Sequence, residues 1–234
     1  MKPGICILWL LLISLQYAKA CDPKNYYTDP ILILASNDNF GLFTGEILKT
    51  EGFNEFHILS RTDKRVSLGY LKKFNIIILA ENSLTAKLHS MLTSYVREGG
   101  NLIAFRPDKK LSHVFGVDDT TGTINDGYIA INTNEDIGKG LIPESLQFHG
   151  EADMYNLKGG KKLAALHKDS TTKTEFPAVV LNDFGRGHAI AFVYNLPQSI
   201  VYTRQGNYRN AGKEMDGITG IRAMDMFEEL GWQF

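Results

Sequence analysis

Residues 74–108 read FNIIILAENSLTAKLHSMLTSYVREGGNLIAFRPD, and their reading decides the fold. Ile76, Ile77, Ile78 and Leu79 form an apolar run with no polar alternation. Such a run suits a strand covered on both faces, as in a parallel sheet. A helix is expected from about Thr85, with the side-chain oxygen of Thr85 or Ser83 accepting an otherwise orphaned backbone N–H. Leu84, Leu88, Met91, Leu92, Tyr95 and Val96 recur at helical spacing and make one apolar stripe. Gly99 and Gly100 stop the helix, because glycine enters the left-handed conformation without a side-chain clash. Asn101 to Phe105 is then the next strand. A strand–helix–strand unit this compact makes a right-handed parallel crossover.

Working upstream, Ile31, Leu32, Ile33, Leu34 and Ala35 form a second continuous apolar run and the first strand. Ser36 to Asn39 is a turn cluster. A helix follows over residues 40–51, capped by Asp38 or Asn39 and stopped by Gly52. Residues 55–60 form a strand and residues 67–74 a short helix. The resulting β-α-β-α-β-α-β order predicts a doubly wound, mostly parallel α/β sheet. Downstream of Asp108 the texture changes. A short helix is expected over residues 111–115 and a loop over residues 116–127. Strands are expected over residues 128–132, 147–156, 162–167 and 178–182. Gly185, Arg186 and Gly187 turn residues 176–194 into a hairpin. This section reads as antiparallel or mixed and added to one edge of the parallel core. Ile221, Met224, Phe227 and Leu230 give a final amphipathic helix stopped by Gly231. No repeat or linker interrupts residues 30–234, which read as a single domain.

The chain has 234 residues and a net charge of -1, with no basic run of the kind that binds nucleic acid. Its first twenty residues have the three parts of a signal peptide: a basic start at Lys2, a short apolar run from Ile5 to Leu15, and Ala18-Lys19-Ala20 as a small-x-small cleavage site. Residues 21–29 then form a polar tether. Cys6 leaves with the signal, so Cys21 is the one cysteine expected in the mature chain, and no internal disulfide can form. A lone cysteine at that position resembles the lipid-modified cysteine of bacterial lipoproteins, although Lys19 departs from their usual signal. Lipid anchoring through Cys21 would be the chain's sole contact with a membrane, and plain secretion is the alternative.

Four blocks carry a further resemblance: LTAKLHSMLTSYVREGGNLIAFRPDKKLSHVFGV, LQFHGEADMYNL, SIVYTRQGN and DGITGIRAMDMF. As a set they resemble the class I glutamine amidotransferase-like superfamily, whose core is flavodoxin-like. More closely, they are similar to a domain found near the N-terminus of large exported bacterial proteins, often ahead of a polysaccharide-deacetylase-like domain. The resemblance implies a carbohydrate-associated setting. Amidotransferases of this fold place a cysteine at a sharp strand-to-helix turn, where a histidine and a helix N-terminus stabilise the thiolate. Here the corresponding turn after Phe105 reads Arg106-Pro107-Asp108. With no nucleophile at that turn, the expectation is a pseudoenzyme without amidotransferase chemistry and with no cofactor.

Three groups of polar residues are candidates for a site. Asp38 with Asn39, Glu81 with Asn82, and Arg106 with Asp108 each follow a different strand, where open α/β sheets bind ligands. Asp38 and Asn39 would otherwise serve as helix caps, and Arg106 with Asp108 as a local ion pair. His149, Glu151 and Asp153 alternate along an expected strand and so share one face. That face suits a metal-dependent or water-dependent hydrolase, or else is simply solvated. Tyr202, Arg204, Gln205 and Asn207 combine an aromatic ring, a forked cation and amides, which suit a sugar or a carboxylate. Asp216, like Glu214, follows closely as a partner for Arg204. The reading is an exported domain that binds a carbohydrate or cell-envelope ligand, with a glycan hydrolase and a protein-interaction module as the alternatives.

Overall fold

The structure, a computed structural model, describes residues 29–36, 40–134 and 136–205. The expected signal peptide, Cys21, Asp38, Asn39, Asn207, Asp216, the final helix and the side chain of Gln205 lie outside the described residues.

The chain runs β1 (Ile31–Ala35), α1 (Phe43–Thr50), β2 (Phe56–Ser60), α2 (Leu68–Leu71), β3 (Ile76–Leu79), α3 (Ala86–Arg97) and β4 (Asn101–Phe105). It continues through β5 (Val117–Asn125), β6 (Tyr128–Ile131), β7 (Leu146–Gln147), β8 (Glu151–Leu157), β9 (Lys161–His167), β10 (Lys173–Phe184), β11 (Gly187–Phe192) and α4 (Leu196–Gln205). Nine strands form one sheet in the order β2-β1-β3-β4-β11-β10-β9-β6-β7, and β5 pairs with β8 in a separate ribbon. From β2 to β11 the neighbours run parallel. From β11 to β7 they run antiparallel.

Cross-strand register sorts the side chains. Leu32, Ile77 and Leu102 are aligned and point to one face; Ile33, Ile78 and Ile103 are aligned and point to the other. The first face packs on Leu71, Leu88, Leu92 and Tyr95 of α2 and α3, all buried. The second packs on Leu48 of α1 and Leu196 of α4. Thr85 caps α3 by accepting the Leu88 N–H at 3.2 Å. Tyr95 donates its hydroxyl to the Phe74 carbonyl at 3.0 Å, and burial pushes its pKa up to about 12.

Three expectations are corrected, and a segment given no element above is a helix. Residues 117–125 are a strand, not a loop, because β8 supplies backbone partners that an exposed polar sequence does not announce. The expected strand over residues 147–156 is broken: Gly150 takes φ +84, so β7 joins the main sheet and β8 the ribbon. The expected helix over residues 111–115 shrinks to a 3-10 turn at Lys109–Leu111 capped by Asp108. Tyr202 and Arg204 sit on α4, which starts at Leu196.

A methyl group at Gly187 would lie 2.1 Å from the Gly100 carbonyl oxygen and 2.4 Å from that of Val96. Gly187→Ala should therefore cost about 1–3 kcal/mol in urea unfolding. Gly69→Ala, where nothing lies within 4 Å, should cost nothing measurable.

Candidate functional site

A cleft of about 660 Å³ opens beyond the carboxyl ends of the parallel strands. Its floor carries Glu81, Asn82 and Ser83 after β3, and Arg106, Asp108 and Lys109 after β4. Asp153 of β8 closes one side; Asn195 and Gln198 close another, with Phe40 beside them. The position follows from the fold, since loops at this end of an open α/β sheet form its ligand crevice.

Arg106 is the centre of this arrangement. It occupies the sharp turn after β4 with φ +37, a conformation costly for a side chain with a Cβ. Its N–H donates to the Phe192 carbonyl at 2.8 Å, which pins the turn to β11. Its guanidinium meets three carboxylates. Nη1 donates to Glu81 at 3.2 Å, Nη2 donates to Glu151, and Nε lies 3.5 Å from Asp153. Burial works to lower the Arg106 pKa, but the Asp153, Glu151 and Glu81 charges outweigh it and hold the value above the ordinary one. The Asp153 side chain is only 5% exposed, so Arg106 is the cation that compensates it.

The network extends on both sides. Glu81 accepts a bond from Asn195 Nδ2 at 2.8 Å. Asn195 Oδ1 in turn accepts the Gln198 N–H at 3.1 Å, the pattern of a helix N-cap for α4. Ser36 donates to Asn82 at 2.8 Å and accepts from Arg61 at 3.0 Å. Asp108 does not pair with Arg106. It accepts the Leu84 N–H at 2.6 Å and the Lys110 N–H at 2.9 Å. Burial raises its pKa, yet these two bonds and the Lys110 and His89 charges prevail and leave it below the ordinary value.

The other predicted residues are placed differently. His149 does not share a face with Glu151 and Asp153, because the Gly150 backbone rotates it away. Its ring packs edge-on against Tyr202 at 5.7 Å, and its Nδ1 lies 4.0 Å from Asp126. Among the described residues its buried Nε2 has no partner. Tyr202 is itself buried between Phe40 and His149 and serves packing behind the cleft. Arg204 is turned away from the cleft. It bonds Glu51 at 2.5 Å and Thr50 at 3.1 Å at the end of α1, so it joins two helices instead of meeting Arg106. Among the described residues no cluster of three or more His, Cys, Asp or Glu has the geometry to hold a metal. Phe40, Asn195 and Gln198 were not predicted. The signal was present for Asn195, which stands between a strand end at Tyr194 and Pro197, as a cap does.

No family model matches the chain, and no curated protein matches it in sequence. Solved structures do resemble it. A β-galactosidase from Bacillus circulans sp. alkalophilus superposes with a TM-score of 0.56 at 12% identity, over 74% of this chain and 30% of that one. The chain thus spans less than a third of that enzyme's length. An exo-β-1,4-mannosidase from an Opitutaceae bacterium, strain TAV5, gives 0.54 at 15%, over 80% and 34%. A ThuA-like protein of Bacteroides uniformis ATCC 8492 gives 0.53 at 16%, over 75% of this chain and 86% of its own. At these identities the shared feature is the α/β fold.

Arg106→Met should lower the unfolding free energy at neutral pH by about 3 kcal/mol, because it strands Asp153 among uncompensated carboxylates. A urea titration showing a loss below about 1 kcal/mol would place the pairs with screened surface contacts.

Burial lowers the His149 pKa below its ordinary 6.5, with Asp126 opposing only in part. The unfolded chain then binds a proton that the folded site resists, so stability falls as pH drops below about 6.5. His113 and His167 are also lowered by burial and act in the same direction. His149→Phe keeps the ring against Tyr202, and the fall in melting temperature between neutral and mildly acidic pH should be shallower than in the parent.

Proposed function

We propose that the chain binds a carbohydrate or cell-envelope glycan in the cleft around Arg106, without amidotransferase chemistry. The observation that carries this reading is the lining of the cleft. Glu81, Asn82, Ser83, Asn195 and Gln198 present fixed donors and acceptors next to the Phe40 ring. Hydroxyl-rich ligands are held by such planar carboxylates and amides with an apolar ring face alongside. The elbow after β4 bears Arg106, whose fork is engaged by Glu81, Glu151 and Asp153. A guanidinium is no nucleophile, so covalent acyl transfer has no starting atom there.

Two further points support the reading by association. Two of the similar folds occur within glycosidases. The signal-peptide pattern expected from the first twenty residues would put the cleft outside the cytoplasm, where envelope polysaccharide lies.

Calorimetric titration with a panel of β-linked galactose, mannose, glucosamine and N-acetylglucosamine oligomers tests it. At least one should bind, and Asn195→Ala and Phe40→Ala should each weaken that binding about tenfold, or ~1.4 kcal/mol. Melting curves of the two variants separate lost binding from lost folding. Absence of heat with every oligomer would sink the proposal. Release of free sugar during the titration would favour the hydrolase alternative, with Glu81 and Asp153 as its cleft carboxylates.

A further inference from the structure

The last strand on the parallel side of the sheet is β2, and its outer edge has no strand partner among the described residues. The Arg61 N–H donates to the Ala35 carbonyl at 3.2 Å, so the odd-numbered residues of β2 direct their backbone groups to β1. Strand geometry then turns the N–H and C=O of Phe56 and Ile58, and the N–H of Ser60, outward. The Ser60 carbonyl is already engaged by the Asp63 N–H at 2.9 Å.

Edges of this kind are normally blunted by lysine, proline or a bulge. β2 reads FHILS and has none of these. An apolar margin accompanies it. Ile58 is 40% exposed and lies against Gly45 of α1. Leu42, one turn before Gly45, is 41% exposed, and Phe53, just ahead of the strand, is 57% exposed.

We infer that this edge is an interface with a second copy of the chain, formed by antiparallel pairing of β2 about a two-fold axis at Ile58. The register follows from the outward amides. Ile58 opposes Ile58 of the second copy, and Phe56 opposes Ser60. The outward groups supply four backbone hydrogen bonds: two between the Ile58 residues and two from Ser60 N–H to Phe56 carbonyl. Both Ile58 side chains lie on the α1 face, where they cover one another. Charge selects this direction. The strand is preceded by exposed Glu55 and followed by exposed Lys64, while Asp63 and Arg65 neutralise each other at 2.8 Å and Arg61 is turned inward to Ser36 and the Ser83 carbonyl. Antiparallel pairing sets the acidic end of one copy against the basic end of the other, whereas parallel pairing would join like ends. A two-fold contact of one patch with itself is the commonest geometry of soluble oligomers.

Sedimentation equilibrium of the chain over a concentration series tests the interface. The mass should rise from one chain to two, and Ile58→Lys should hold it at one while leaving the melting temperature within a few degrees. A second test is independent of that variant's folding. With Cys6 and Cys21 changed to serine, Ile58→Cys should oxidise to a covalent dimer, because hydrogen-bonded opposed Cα atoms lie ~5.5 Å apart, within disulfide reach. Lys87→Cys on α3, exposed and distant from the edge, should stay monomeric under the same oxidation. A single-chain mass at every concentration overturns the inference. So does a dimer that survives Ile58→Lys without the Ile58→Cys cross-link, since another surface would then hold it. Slow hydrogen exchange of the Phe56 and Ile58 amides in monomeric protein would also overturn it, by showing that the chain covers its own edge.

Discussion

One guanidinium holds together three pieces of chain that share no hydrogen-bonded strand register at that point. Arg106 comes from the end of β4, Glu81 from the loop after β3, and Glu151 with Asp153 from the separate β5–β8 ribbon. Through Glu81 the network reaches Asn195 and the first turn of α4. Apart from this cluster, the ribbon touches the main body through an Ala152–Tyr194 bridge, the Asp153 N–H to Val193 bond and apolar packing. Three acids around one cation leave negative charge in excess. The arrangement is tolerable because Glu81 is also hydrogen-bonded and Glu151 is exposed, which leaves Asp153 as the acid most in need of the cation.

Behind the cleft, function and packing use the same atoms. Asn195 caps α4 with one side-chain atom and orients Glu81 with the other. The Asn195 carbonyl also accepts from Ser199, whose hydroxyl takes the His149 N–H at 3.1 Å. Phe40, Tyr202 and His149 then stack in edge-on contacts that set the position of the cleft's aromatic wall. The apolar run of rings beneath and the polar rim above are therefore not separable designs, and a change at His149 reaches the rim through α4.

The parallel half of the fold was legible because its strands are apolar on consecutive residues and its helices carry ordinary caps and stops. Ile76 to Leu79, the Thr85 cap and the Gly99 stop each mean one thing locally. In the ribbon β8 was legible but β5 was not: DDTTGT has neither alternation nor branched apolar residues, and it becomes a strand only because β8 lies alongside it. α4 was hidden by Pro197, which reads as a breaker but is tolerated in a first turn. At the site, Glu81, Arg106 and Asp108 could be named because loops after parallel strands line clefts, and Asp153 because it alternates with Glu151 along a strand. Their partners could not, since Arg106 and Asp153 meet only through tertiary placement. Arg204 was attractive for its chemistry, and one turn of helix aims it at Glu51 instead.

β11 has a consequence for the order in which this molecule can assemble. It pairs with β4 on one side and β10 on the other, so a strand made late stands in the middle of the sheet. While the ribosome adds the residues between Phe105 and Gly187, β4 presents an unpaired edge flanked by apolar side chains. Such edges recruit foreign strands, and contacts distant in sequence form slowly. The parallel half, though encoded first, becomes complete only after most of the antiparallel half has emerged. Nascent chains of this topology carry their period of greatest vulnerability between the making of β4 and the making of β11.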